Sequence, residues 1–136
     1  MEIFCLEDFK IQFEKLISKK NYSILEQEIR DYFFDKSVED LCSGRRLNNS
    51  DITPYIKKRL CGRGGFRMYF LLIIKEERLY LMFVHPKTGS MGYENIDDES
   101  KAMLYKKVLS CIITKDLYKV EVNEERTGLV FTKVEN

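Results

Sequence analysis

Apolar residues recur at helical spacing twice near the start of the chain. Phe9, Phe13, Leu16 and Ile17 share one helical face, which predicts a helix from Asp8 to about Lys19. Glu7 and Asp8 place negative charge at its first amides, and Lys19 and Lys20 stand at its other, favourable end. A second stripe, Tyr22, Leu25, Ile29, Tyr32 and Phe33, follows after two or three residues, so the two helices form a hairpin that covers one face of a sheet. The short apolar run at 1–6 reads equally as an edge strand or as a lead into the first helix. Residues 35–51 are the least periodic, with one helical turn at Val38, Leu41 and Cys42 and then an exposed polar loop. Thr53 and Pro54 either cap a short helix reaching Lys58 or bend the chain into the sheet.

From Phe66 the period changes to two. Met68, Phe70, Leu72 and Ile74 lie on one face and Arg67, Tyr69, Leu71, Ile73 and Lys75 on the other. Both faces are mostly apolar, which predicts a central strand covered by helices on at least one side. A charged turn at 75–78 returns the chain as an antiparallel partner over 79–84. Register decides where His85 falls: a two-residue turn at Glu76 and Glu77 pairs Arg67 with Pro86, whereas a three-residue turn centred on Glu76 pairs Arg67 with His85. Pro86 ends the strand, and a glycine-containing loop runs to Gly92. A helix then starts at Asp97 or Asp98, with Met103, Leu104, Val108, Cys111 and Ile112 facing the core. Strands are expected at 116–122 and 129–134. Together the elements predict one α+β domain over 1–136, with an antiparallel sheet of about four or five strands and a helix-plus-hairpin extension from about 97.

Charge placement alters this picture more than composition does. The chain is near neutral, at +1, yet residues 51–92 carry 8 Lys and Arg against 3 Asp and Glu, a net +5, while the segments on either side are each net −2. Positive charge therefore surrounds the central strands, where it can recruit a polyanion. The four cysteines are dispersed without CxxC spacing beside a single histidine, so no zinc site or redox pair is expected, and Cys5 and Cys111 read as buried free thiols. No apolar run is long enough for a membrane span or a leader, and the simplest setting is the cytoplasm.

The segment GRGGFR at 62–67 has glycines and arginines but lacks the spacing of a Walker loop, and its glycines precede a strand rather than a helix, so nucleotide binding is not expected. The glycines let the backbone enter the sheet, with close approach to a ligand as a second use. Arg67, near the start of an apolar strand, either snorkels to solvent or holds a phosphate through paired donors. Tyr69 follows two residues later on the same face. His85, Lys87 and Tyr93 add an imidazole, an ammonium and a phenol within nine residues. With Arg67 they suffice chemically for RNA cleavage by 2′-hydroxyl attack, which needs a base, an acid and charge stabilisation. Arg45, Arg46 and Arg63 are candidate contacts to the RNA backbone. Asp97, Asp98 and Glu99 read as helix capping rather than a metal site, and no cofactor is expected.

On GFRMYF at 65–70, the hairpin to Val84 and HPKTGSMGY at 85–93, the sequence resembles the RelE/ParE superfamily of toxins from bacterial toxin-antitoxin modules. The resemblance spans roughly residues 9–95. It implies a small twisted antiparallel sheet packed against two N-terminal helices, here with one further helix in the C-terminal half. It implies a metal-independent endoribonuclease acting on mRNA, on or off the ribosome, with a cognate antitoxin protein as partner. It makes Arg67 the phosphate-stabilising arginine, His85 or Lys87 the second basic group, and Tyr93 the tyrosine near the following strand. The family also holds gyrase inhibitors and inactive members, so a non-catalytic nucleic-acid-binding or protein-interaction domain stands as the alternative.

Overall fold

The computed structural model describes residues 1–60, 65–87 and 96–135. In chain order the elements are β1 (Glu2–Cys5), α1 (Glu7–Ile17), α2 (Leu25–Phe33), α3 (Val38–Leu41), β2 (Arg45–Arg46), β3 (Tyr55–Leu60), β4 (Phe66–Ile73), β5 (Arg78–Pro86), α4 (Asp98–Thr114), β6 (Tyr118–Val122) and β7 (Leu129–Lys133). The described strands form one twisted seven-stranded sheet in the order β2-β3-β4-β5-β1-β6-β7, antiparallel except where β1 runs parallel to β5. The sheet packs against the N-terminal helix pair on one face and α4 on the other.

Both faces of β4 are covered, which explains its nearly unbroken apolar sequence. Phe66, Met68, Phe70 and Leu72 join Phe9, Phe13, Leu16, Leu25, Ile29 and Phe33 in one core. The Phe33 ring meets Phe70 edge-on, 5.2 Å between centroids. Tyr69 and Leu71 join Leu6, Tyr80, Met82, Val108 and Cys111 in the other. Cys5 and Cys111 are buried free thiols, and burial pushes Cys5 up to about 12, which removes its thiolate character at neutral pH.

Two expectations change and one open alternative resolves. Residues 1–6 supply an interior strand rather than an edge: Ile3 lies beside Leu79 and Cys5 beside Leu81, with Tyr118 on the other side of Cys5. Of the two alternatives at Thr53 and Pro54, the chain takes the bend into the sheet, since the six-residue Tyr55–Leu60 pairs along its length with β4. On α4, Met103 is exposed at 63%, while Val108 and Cys111 face the core. Asp97 caps α4, accepting a hydrogen bond from the Ser100 amide at 2.7 Å. Two further strands, β2 and β3, extend the sheet beyond the expected four or five.

The hairpin reaches its register by a route neither expected turn describes. Ile73 pairs with Arg78 across a four-residue connection, and a bulge at Met82 adds one residue before Tyr69 pairs with Phe83. Without that extra residue the ladder would bring Val84 opposite Arg67 and turn His85 to the helix-pair face. With it, Arg67 and His85 are direct partners on the α4 face.

Gly44 opens β2 at φ +124, and a Cβ there would lie 2.8 Å from Ile56 Cγ2 and 3.0 Å from the Lys57 carbonyl oxygen. Gly44→Ala is therefore expected to cost about 1–3 kcal/mol, read as a lowered urea midpoint at unchanged slope.

Candidate functional site

Beyond the cover of α4, the same face of the sheet carries a row of basic groups across β2, β3, β4 and β5. Arg45 stands directly opposite Lys57, Arg59 opposite Arg67, and Arg67 opposite His85. Like charges in direct cross-strand pairs destabilise a sheet. Among the described residues, no carboxylate forms an ion pair with Arg45, Arg59 or Arg67. Among the described residues, the repulsion between Arg59 and Arg67 is thus not offset by an ion pair to a carboxylate.

Arg67 is the centre of the row. Its side chain is only 8% exposed, and its Nη1 is buried with no hydrogen-bond partner among the described residues. A buried guanidinium donor without an acceptor costs free energy that an incoming oxyanion would recover. Gly65, at φ +69, makes room beside it: a Cβ there would stand 3.5 Å from Arg67 Nη1 and 3.8 Å from Arg59 Nε, so two guanidiniums meet around this glycine. The Lys87 amide donates to the Gly65 carbonyl at 3.0 Å, tying the exit of β5 to the same spot. Gly44, Arg45, Lys57, Lys58, Arg59 and Arg67 line a cavity of about 280 Å³ there. Burial lowers the Lys57 pKa, and the charges of Lys101, Arg67 and Arg45 lower it further.

His85 occupies a different environment from the one its place at a strand end suggests. It is fully buried. Its Nδ1 lies 3.0 Å from the Pro86 carbonyl oxygen and its Nε2 lies 3.1 Å from the Tyr69 hydroxyl. A carbonyl oxygen only accepts, so Nδ1 carries the proton and Nε2 accepts from Tyr69. Burial pushes the Tyr69 phenol up, against the Ile96 backbone hydrogen bond and the Arg67 charge. Tyr69 and His85 thus form a neutral, stacked brace beneath Arg67, with ring centroids 5.6 Å apart.

Burial holds the His85 pKa below its ordinary 6.5, with the Arg67 and Lys57 charges acting in the same direction. Between that lowered value and 6.5 the unfolded chain binds a proton that the folded chain does not, so stability rises with pH across this window. Melting temperature should therefore fall on acidification below about 6.5, and His85→Gln should flatten that limb.

The structure brings together Arg67, Tyr69, His85 and Arg45, and places exposed Lys87 immediately after β5. Arg46 does not line the cationic pocket: its guanidinium is held by Asp51 at 2.5 Å and by the Ser50 carbonyl at 3.1 Å, and it borders a neighbouring cavity instead. Arg63 and Tyr93 lie outside the described residues. Lys57 and Arg59 complete the site and were not singled out from the sequence. The signal was present in YIKKRL, where alternate residues Tyr55, Lys57 and Arg59 share a face once the segment is recognised as a strand. No protein-family model matches the chain, and no curated protein matches it.

Proposed function

We propose that the protein acts on RNA in the cytoplasm as a toxin of the RelE type, gripping the backbone in the cationic pocket and cleaving it without a metal. The observation that carries this reading is the buried Arg67 Nη1, without a hydrogen-bond partner among the described residues, beside the Arg59 guanidinium. Attack of a 2′-hydroxyl on the adjacent phosphorus builds charge on the non-bridging oxygens, and donors fixed in advance stabilise that charge. Lys57 adds positive charge beside that phosphate, and the proton of the 2′-hydroxyl passes to solvent in this reading. The P–O5′ bond breaks, the 5′-oxygen takes a proton from Lys87, and the products are a 2′,3′-cyclic phosphate and a 5′-hydroxyl. His85 has the role of holding Arg67's surroundings rigid rather than exchanging protons. A cognate antitoxin that covers the pocket belongs to the same reading.

The second reading is RNA binding without cleavage, favoured by the engagement of both His85 ring nitrogens. The test is RNA incubated with the protein, with and without ribosomes, and analysed for cyclic-phosphate ends. Cleavage that falls by about 100- to 1,000-fold in Arg67→Ala is the expected result. Binding with no cyclic phosphate under either condition selects the second reading, and no binding at all removes both.

A further inference from the structure

A second cavity, of about 510 Å³, opens between β3 and the first half of α4. Arg45 lines both this cavity and the cationic pocket, so the two are neighbours on either side of one side chain. Its character differs from its neighbour's. Tyr55, Tyr105 and Leu47 supply aromatic and apolar surface, and Arg45, Arg46 and Lys106 add positive charge beside Lys101, which stands 3.7 Å from the Asp98 carboxylate on the same lining. The Tyr105 ring stacks on Tyr55 with centroids 5.5 Å apart and planes 23° apart. Tyr55 is itself fixed, 3% exposed, with its hydroxyl donating to the Lys101 carbonyl at 3.0 Å. Tyr105 is half-buried and thus backed by a rigid ring.

Spacing connects the two cavities. Tyr55 and Lys57 lie two residues apart on one face of β3, a separation of about 7 Å. Because Tyr105 stacks on Tyr55, the aromatic cavity lies beside the cationic pocket at about that spacing along β3. An aromatic platform beside a cationic groove is the arrangement that holds unpaired bases, because every base offers a π face while its phosphate meets the cations. A base paired in a duplex does not offer that face.

We propose that this second cavity is a base-stacking subsite and that the protein selects single-stranded RNA, with one unpaired base on Tyr105 and its adjoining phosphate at Arg45 and Arg67. The inference rests on the reading of the cationic pocket as an RNA phosphate site. Its test is equilibrium binding of the full chain to four probes: a short unstructured oligoribonucleotide, the same strand annealed to its complement, inorganic polyphosphate of matched charge, and oligoglutamate. The wild-type protein should bind the single strand at least about fivefold more tightly than the duplex or polyphosphate. Tyr105→Leu, which keeps apolar packing on Tyr55, should lose that preference while polyphosphate binding stays unchanged, and Tyr105→Phe should keep it.

Equal binding of single strand and duplex by the wild-type protein, a comparison that needs no variant, overturns the subsite. So does an unchanged preference in Tyr105→Leu. In either case, polyphosphate binding that is lost in Arg67→Ala leaves the phosphate reading standing, and polyphosphate binding indifferent to Arg67 removes both. Oligoglutamate bound as tightly as the single strand assigns the surface to an acidic protein segment and also overturns the proposal.

Discussion

Replacing Arg67 by methionine is expected to raise the melting temperature while weakening RNA binding by about tenfold or more. Arg67 is 92% buried by its 8% exposure, faces Arg59 directly, and leaves Nη1 without a hydrogen-bond partner among the described residues. Each of these raises the free energy of the folded state. Methionine keeps the unbranched stem against Tyr69 and His85 and removes the charge, so the gain should resemble that of replacing other buried ions by apolar side chains, about 1–4 kcal/mol. For a domain of this size, that corresponds to a rise of several degrees at about 3–5 °C per kcal/mol. RNA affinity falls because the lost donors include a charge-assisted pair, worth about 1.5–3 kcal/mol. Arg67→Lys should keep part of the electrostatic attraction and lose the forked contact. A methionine variant that melts lower and binds RNA normally would show Arg67 to be structural.

The largest loss of stability is expected from Phe70→Ala, about 3–5 kcal/mol. Phe70 is fully buried on the central strand and meets Phe33 edge-on, so truncation empties the junction between sheet and helix pair. A loss of that size is a large share of the roughly 5–15 kcal/mol that stabilises an ordinary domain. Ile113, 81% exposed on α4, provides the control: its alanine variant should stay within about 0.5 kcal/mol of the parent. Urea unfolding compares the three. Because Phe70 faces away from the cationic row, the milder Phe70→Leu should bind RNA with unchanged affinity. A loss of binding there would mean that the two faces of β4 are coupled.

The residues whose environment is periodic were legible in the sequence. The helix pair, β4, β5, α4 and the final two strands each span enough turns or alternations to display a buried face. β1 did not, because four residues hold only two inward positions, Ile3 and Cys5, and its parallel pairing with β5 depends on partners far along the chain. β3 was obscured by its charge: Lys57 and Arg59 occupy positions that an ordinary covered strand fills with apolar side chains. Arg67 could be picked out as a charge interrupting an apolar strand. The site's other half could not be located without knowing which strand lies opposite, and the pairing of Arg67 with His85 depends on the bulge at Met82, which no local signal marks. His85 shows the limit most plainly, since its chemistry follows from complete burial and from Tyr69 and Pro86 at its two nitrogens.

The most direct test of the proposed phosphate site is the salt dependence of RNA binding in the wild-type and Arg67→Met proteins. Each phosphate neutralised on a single strand contributes about −0.7 to the slope of log K against log salt. With Arg45, Lys57, Arg59 and Arg67 engaged, the wild-type slope should be about −3, and Arg67→Met should make it shallower by about 0.7. Binding that ignores salt, or a slope identical in the two proteins, would contradict a phosphate site at Arg67.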